Sequence, residues 1–110
     1  MRTAFVIAAV AVFLVTSANA RDAEMTMTGK EFLAACSKPD PEWIGFCHGY
    51  VQAVYDGVFV PGEDFCPPNG LTRAKIVGMV VGELQAMPSI QDRNAAFIVY
   101  VVLADAFPCP

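Results

Sequence analysis

Positive charge is scarce in this 110-residue chain: seven lysines and arginines stand against eleven acidic residues, and nowhere do they form a basic run. A nucleic-acid surface must offer a positive face to phosphate, so that class of partner is disfavoured. No Cys-x-x-Cys pair occurs among Cys36, Cys47, Cys66 and Cys109, which leaves a zinc reading weak. Cys47-His48 lacks the earlier cysteine that covalent haem attachment requires. A serine-nucleophile motif, a phosphate-binding glycine loop and paired carboxylates are missing too. With the acid–base and nucleophile set incomplete, the expectation is a protein that is not an enzyme and takes no cofactor or metal.

The first twenty residues read as a secretory leader. Arg2 precedes an apolar run from Ala4 to Val15, and Ala18 and Ala20 form the A-x-A pattern of a signal-peptidase site before Arg21. At about 12 residues the run is shorter than the roughly 20 that span a bilayer, so no membrane anchor is expected after cleavage. The remaining domain, 21–110, carries a net charge of about −5 once Arg2 is removed. An acidic surface of that size keeps a protein soluble, or meets a basic partner. A domain this small has a small core, and an even cysteine count in an exported chain reads as two disulfides.

Four helices are expected in an all-α single domain. Thr28 with Glu31 forms a capping box, with Met27 and Phe32 as a hydrophobic staple, and Lys38-Pro39 ends that helix. Asp40-Pro41-Glu42 opens a second helix running to about Val58. Its wheel places Trp43, Ile44, Phe46, Cys47, Tyr50, Val51, Val54, Tyr55 and Val58 in one apolar sector. Pro61-Gly62 and Asn69-Gly70 mark a loop. The third helix runs from Thr72 to Met87, with Ile76, Val77, Val80, Val81, Leu84 and Met87 on its inner face. Ser89 with Asp92 gives a further capping signal. The stretch from Ala95 to Phe107 has strand-like composition in its middle. Its length, its alanines and the absence of a partner strand favour a central helix, apolar nearly all round.

The most reactive-looking stretch is Cys47 to Gly57, with the single histidine and a central carboxylate. Adjacent helical side chains point about 100° apart, so Cys47 and His48 do not share a proton. Cys47 lies on the apolar face, where a disulfide or a buried thiol is expected. Gly49, Tyr50, Asp56 and Gly57 read as structural. Asp56 opposes the helix dipole near the C-terminus and either finds a partner, such as Arg73, Arg93 or a backbone donor, or stays solvated. Gly45 and Gly49, like Gly78 and Gly82, are four apart and point to close helix approach, within the chain or at a homodimer seam. Three cysteine pairings are possible. Position along the chain favours Cys36–Cys47 with Cys66–Cys109, contributing about 3 and about 4 kcal/mol in the chain-entropy model.

Phe32-Leu33 with Cys36, Cys47-x-Gly49-Tyr50, Asp56-Gly57, Phe65-Cys66-x-Pro68-x-Gly70-x-Thr72 and Ala106-Phe107-Pro108-Cys109 resemble the exported Tai-type immunity proteins and their resistance-associated relatives. So do Leu84 and Pro88 ahead of Ala95-Ala96. Ala53 departs from the glycine that relatives often carry. The resemblance implies a small, helical, usually dimeric periplasmic protein that binds and blocks a cell-wall amidase delivered by the type VI secretion system. By analogy the partner contact falls on the Pro88–Asn94 turn, through Ser89, Gln91, Asp92 and Arg93. The alternative is a periplasmic stress protein or chaperone of the acid-response kind. Intact-mass measurement of the exported protein tests the leader: the mature chain is expected to begin at Arg21, and retention of residues 1–20 would refute the cleavage reading.

Overall fold

The computed structural model describes residue 3, residues 25–58 and residues 62–110. The expected leader and its cleavage point therefore lie outside the described residues. The described part forms four α-helices: α1 (Gly29–Cys36), α2 (Pro41–Val58), α3 (Arg73–Ala86) and α4 (Ala95–Ala106). A 3₁₀ turn, Pro88–Ile90, links the last two. Among the described residues the only β-type pairing is an isolated antiparallel bridge between Thr28 and Asn94.

Helix starts follow the capping residues. The Thr28 hydroxyl accepts from the Glu31 N–H at 3.2 Å, and the Thr72 hydroxyl accepts from the Lys75 N–H at 3.2 Å. At the start of α2 the Asp40 carbonyl accepts from Trp43 and Ile44, each at 3.0 Å. Ser89, however, caps nothing; the 3₁₀ turn has no side-chain cap. The cap of α4 is Asn94, whose side-chain oxygen accepts from the Phe97 N–H at 3.1 Å. Asparagine two residues past Asp92 is a weak signal until the start of the helix is known.

Each helix packs against the other three around Phe32, Val51, Ile76, Val80, Leu84, Ala95, Ile98, Val99 and Leu103. Phe65, from the loop before α3, is fully buried among them and stacks edge-on against Tyr55, with ring centroids 5.7 Å apart. Burying a side chain of this size contributes about 1.5–3 kcal/mol. The two disulfides are Cys36–Cys47 and Cys66–Cys109. The first joins the end of α1 to α2, and the second joins the Phe65 loop to the chain after α4. The Cys66 N–H also donates to the Phe107 carbonyl at 2.8 Å, so loop and tail are tied twice.

Three expectations about faces are corrected. Ile44 and Phe46 are 45% and 41% exposed, because α1 ends at Cys36 opposite Cys47 and the first turns of α2 run past it. Met87 and Phe97 are 44% and 55% exposed, so neither the end of α3 nor the whole circumference of α4 is covered. The close approach expected at Gly45, Gly49, Gly78 and Gly82 does not occur within the chain: a Cβ at any of them meets nothing within 4 Å, and the same holds at Gly57. The glycine that does permit close approach is Gly29. A Cβ there would lie 2.7 Å from both Ile98 Cδ1 and Leu84 Cδ2 and 3.3 Å from the Gln91 carbonyl oxygen.

Opposite outcomes follow for two glycine substitutions. Gly29→Ala is expected to destabilise by about 1–3 kcal/mol through overpacking. Gly82→Ala is expected to stabilise by about 1 kcal/mol, since the methyl group has open space and helix propensity improves. Urea unfolding of both variants checks this; equal shifts of the same sign would contradict the packing described.

Candidate functional site

Every backbone N–H of the first turn of α1 has an acceptor, and two of those acceptors belong to the turn between α3 and α4. Gly29 donates to the Arg93 carbonyl at 2.8 Å and Lys30 to the Gln91 carbonyl at 2.7 Å. Glu31 and Phe32 donate to the Thr28 hydroxyl and carbonyl. Helix starts otherwise leave these donors to water. The turn thus acts as part of the α1 cap.

The same turn closes α3. The Gln91 amide donates from Nε2 to the Leu84 carbonyl at 2.9 Å, satisfying an acceptor in the last turn of that helix. Inside the turn, Ile90 donates to Met87, Gln91 to Pro88 and Arg93 to Ile90. At α4 the Ala95 N–H donates to the Met27 carbonyl at 2.9 Å, Phe97 to the Asn94 side chain and Ile98 to the Asn94 carbonyl. The remaining first-turn amide, Ala96, lies close enough to the Tyr50 hydroxyl to lower its pKa.

The residues that the sequence assigned to partner contact therefore separate. Ser89, Asp92 and Arg93 are exposed. Gln91 is half-buried, and its backbone and side chain hold α1 and α3 in place. An open recess of about 520 Å³, bordered by Thr28, Lys30, Ser89 and Asp92, lies on one side of the turn. A second, of about 370 Å³, is bordered by Glu83, Met87, Ile90, Arg93, Phe97 and Val101. Two exposed apolar side chains, Met87 and Phe97, line this second recess, a feature the helical wheel did not anticipate.

The segment that looked reactive holds a disulfide and a cluster of aromatic rings. Cys47 is 1% exposed and disulfide-bonded. Tyr50 stacks on Phe32 at 5.5 Å and on Phe46 at 6.2 Å between centroids. Burial raises its pKa above the ordinary 10.0, and the Ala96 backbone bond acts in the opposite direction. Asp56 takes its hydrogen bond from Gln52 Nε2 at 2.8 Å, one helical turn back, rather than from Arg73 or Arg93. Among the described residues no three His, Cys, Asp or Glu side chains converge on a metal position, and no helix is long and apolar enough to cross a membrane.

The arrangement is a braced turn on a disulfide-tied helical scaffold. The family model of Rap1a immunity proteins matches residues 28–109, and the chain belongs to that family. The match begins at the α1 cap and ends at the last disulfide cysteine, so it covers the whole scaffold. No curated protein and no solved structure matches the chain.

Tyr50 supplies a test of how α4 is anchored. Tyr50→Phe removes the hydroxyl beside the Ala96 amide and is expected to lose about 1 kcal/mol at neutral pH. Because the folded pKa of Tyr50 is raised, its ionisation stabilises the unfolded chain relative to the folded one. That part of the stability is complete below the unfolded value of 10.0 and is lost as pH rises beyond it. The gap between wild type and Tyr50→Phe is expected to narrow above that pH in paired denaturation curves; a constant gap would remove Tyr50 from the account.

Proposed function

We propose that this protein is a periplasmic immunity protein of the Tai-type kind, which binds and sterically inhibits a peptidoglycan amidase delivered by the type VI secretion system. It acts without chemistry of its own. The observation that carries the reading is the turn between α3 and α4: it is exposed at Ser89, Asp92 and Arg93, while Gln91 anchors it to two helices. A loop held in one conformation before binding loses little entropy on docking, which is what a steric inhibitor requires of the segment entering a catalytic cleft. Family membership supports a cognate effector as the partner. Two disulfides fit an oxidising compartment, and a cell-wall hydrolase would be met in the periplasm.

In this reading Ser89, Asp92 and Arg93 touch the effector and Gln91 positions them. The protein is also proposed to act as a homodimer, displaying two such turns.

The test is inhibition of the amidase encoded beside this protein, with purified peptidoglycan as substrate. An equimolar amount is expected to stop hydrolysis. Asp92→Arg is expected to weaken inhibition by about tenfold or more, with no change in melting temperature. Gln91→Ala is expected to weaken inhibition and lower the melting temperature together. If no neighbouring amidase binds, or if Ser89 and Asp92 variants inhibit as wild type does, the proposed contact is wrong.

A further inference from the structure

Two asparagines lie among the described residues, and the fold treats them in opposite ways. Asn94 is locked. Its side-chain oxygen accepts from the Phe97 N–H at 3.1 Å, and the next amide, that of the buried Ala95, donates to the Met27 carbonyl at 2.9 Å. Asn69 sits with Gly70 at the tip of the loop between buried Phe65 and the Thr72 cap of α3, and both are exposed. Among the described residues neither the Asn69 carboxamide nor the Gly70 N–H has a hydrogen-bond partner. Gly70 holds φ at +81°, and a Cβ there would meet nothing within 4 Å, so open space lies beside it.

We propose that Asn69-Gly70 is a site of covalent modification, at which the Asn69 carboxamide is lost through a cyclic imide with water as co-reactant. The Gly70 nitrogen, its proton released to solvent, attacks Cγ of Asn69. That C–N bond forms as the Cγ–Nδ2 bond breaks, and ammonia leaves with a proton taken from solvent. Attack of water on Cγ of the resulting ring reopens it to aspartate. Attack on the main-chain carbonyl carbon reopens it to isoaspartate, whose chain runs on through the side-chain carbon. One water enters, one ammonia departs, and nothing is oxidised or reduced. Glycine favours the step, since a side chain on the attacking residue would crowd the approach of its nitrogen to Cγ. The same attack at Asn94 requires the Ala95 amide to give up its bond to Met27 and the cap of α4 to open, so local unfolding must come first.

Asn69 and Gly70 border an open recess of about 370 Å³ between α2 and the start of α3, where Arg73 is the one charged side chain among the lining residues. Either product puts a carboxylate on that border and draws it toward the guanidinium. The modification changes the charge of this face and leaves the Pro88–Asn94 turn as it is, so it stands apart from the immunity reading.

The test is incubation of the purified protein at mildly alkaline pH, folded in buffer or unfolded in guanidinium chloride with its disulfides intact, followed by digestion and mass spectrometry. Folded protein is expected to convert Asn69 at a rate within about tenfold of the unfolded chain. Asn94 is expected to convert only in the unfolded chain. Isoaspartate, detected with an isoaspartyl methyltransferase as probe, is expected beside aspartate at residue 69. Asn69→Gln is expected to suppress conversion at that position, because its ring needs one more atom, and circular dichroism melting verifies that the variant folds. An Asn69 that stays intact in the folded protein overturns the proposal. So does aspartate without isoaspartate, which would mean direct hydrolysis of the side chain, and so does Asn94 converting as fast as Asn69 in the folded state.

Discussion

Two amide groups at the start of α1, those of Gly29 and Lys30, donate to the carbonyls of Arg93 and Gln91, and the fold is arranged around that pair of bonds. They join the first helix to the turn that connects the last two, across more than sixty residues of chain. They bring the backbone of α1 so close to the turn that a Cβ at Gly29 would lie 3.3 Å from the Gln91 carbonyl oxygen and crowd Ile98 and Leu84. Once they form, the Gln91 side chain reaches Leu84 and the Ala95 amide reaches Met27, so three helix ends share one set of partners. An unpaired buried amide costs about 1–3 kcal/mol, which makes such a set cooperative: breaking one bond exposes the need for the others.

The core is too small to hold this arrangement alone. One fully buried aromatic side chain comes from α1, and the other, Phe65, comes from a loop with no helical propensity to place it. The Cys66–Cys109 disulfide and the adjacent Cys66–Phe107 backbone bond hold that loop over the bundle. Cys36–Cys47 does the equivalent for the short α1, which at eight residues would be marginal in isolation. The disulfides close 11 and 43 residues of chain, so the longer link removes more unfolded-state entropy.

The same constraint shapes the surface. A turn that must present its carbonyls inward to α1 and its Gln91 amide inward to α3 has Ser89, Asp92 and Arg93 left to face solvent. Rigidity and display thus have one cause. Phe97 is exposed because α4 turns Ala95, Ile98, Val99 and Leu103 to the core and its opposite side outward.

Local rules were enough for the helices. Thr28 and Thr72 cap by side chains that reach only three residues ahead, and Asp40-Pro41 opens a helix through its own backbone, so sequence neighbours contain the needed chemistry. The cysteine pairing was also legible, since proximity along the chain and proline-held loops restrict which thiols meet. The resemblance singled out the Pro88–Asn94 turn, but the division of its residues into packed and exposed was not legible. Gln91 looks as polar and exposable as Ser89 until Leu84 and Lys30 are placed beside it, and those contacts span seven and sixty-one residues. Helical periodicity likewise finds the apolar residues of α2, α3 and α4 without saying where each helix runs out of neighbours; Ile44, Phe46, Met87 and Phe97 are exposed for that reason. Sequence by itself therefore determined the elements, their caps and the covalent ties, all of them short-range or chemically unique. Only the tertiary structure decided which glycine is needed, which turn residue is scaffold and which apolar face remains open, because each depends on what lies across a gap that no local pattern encodes.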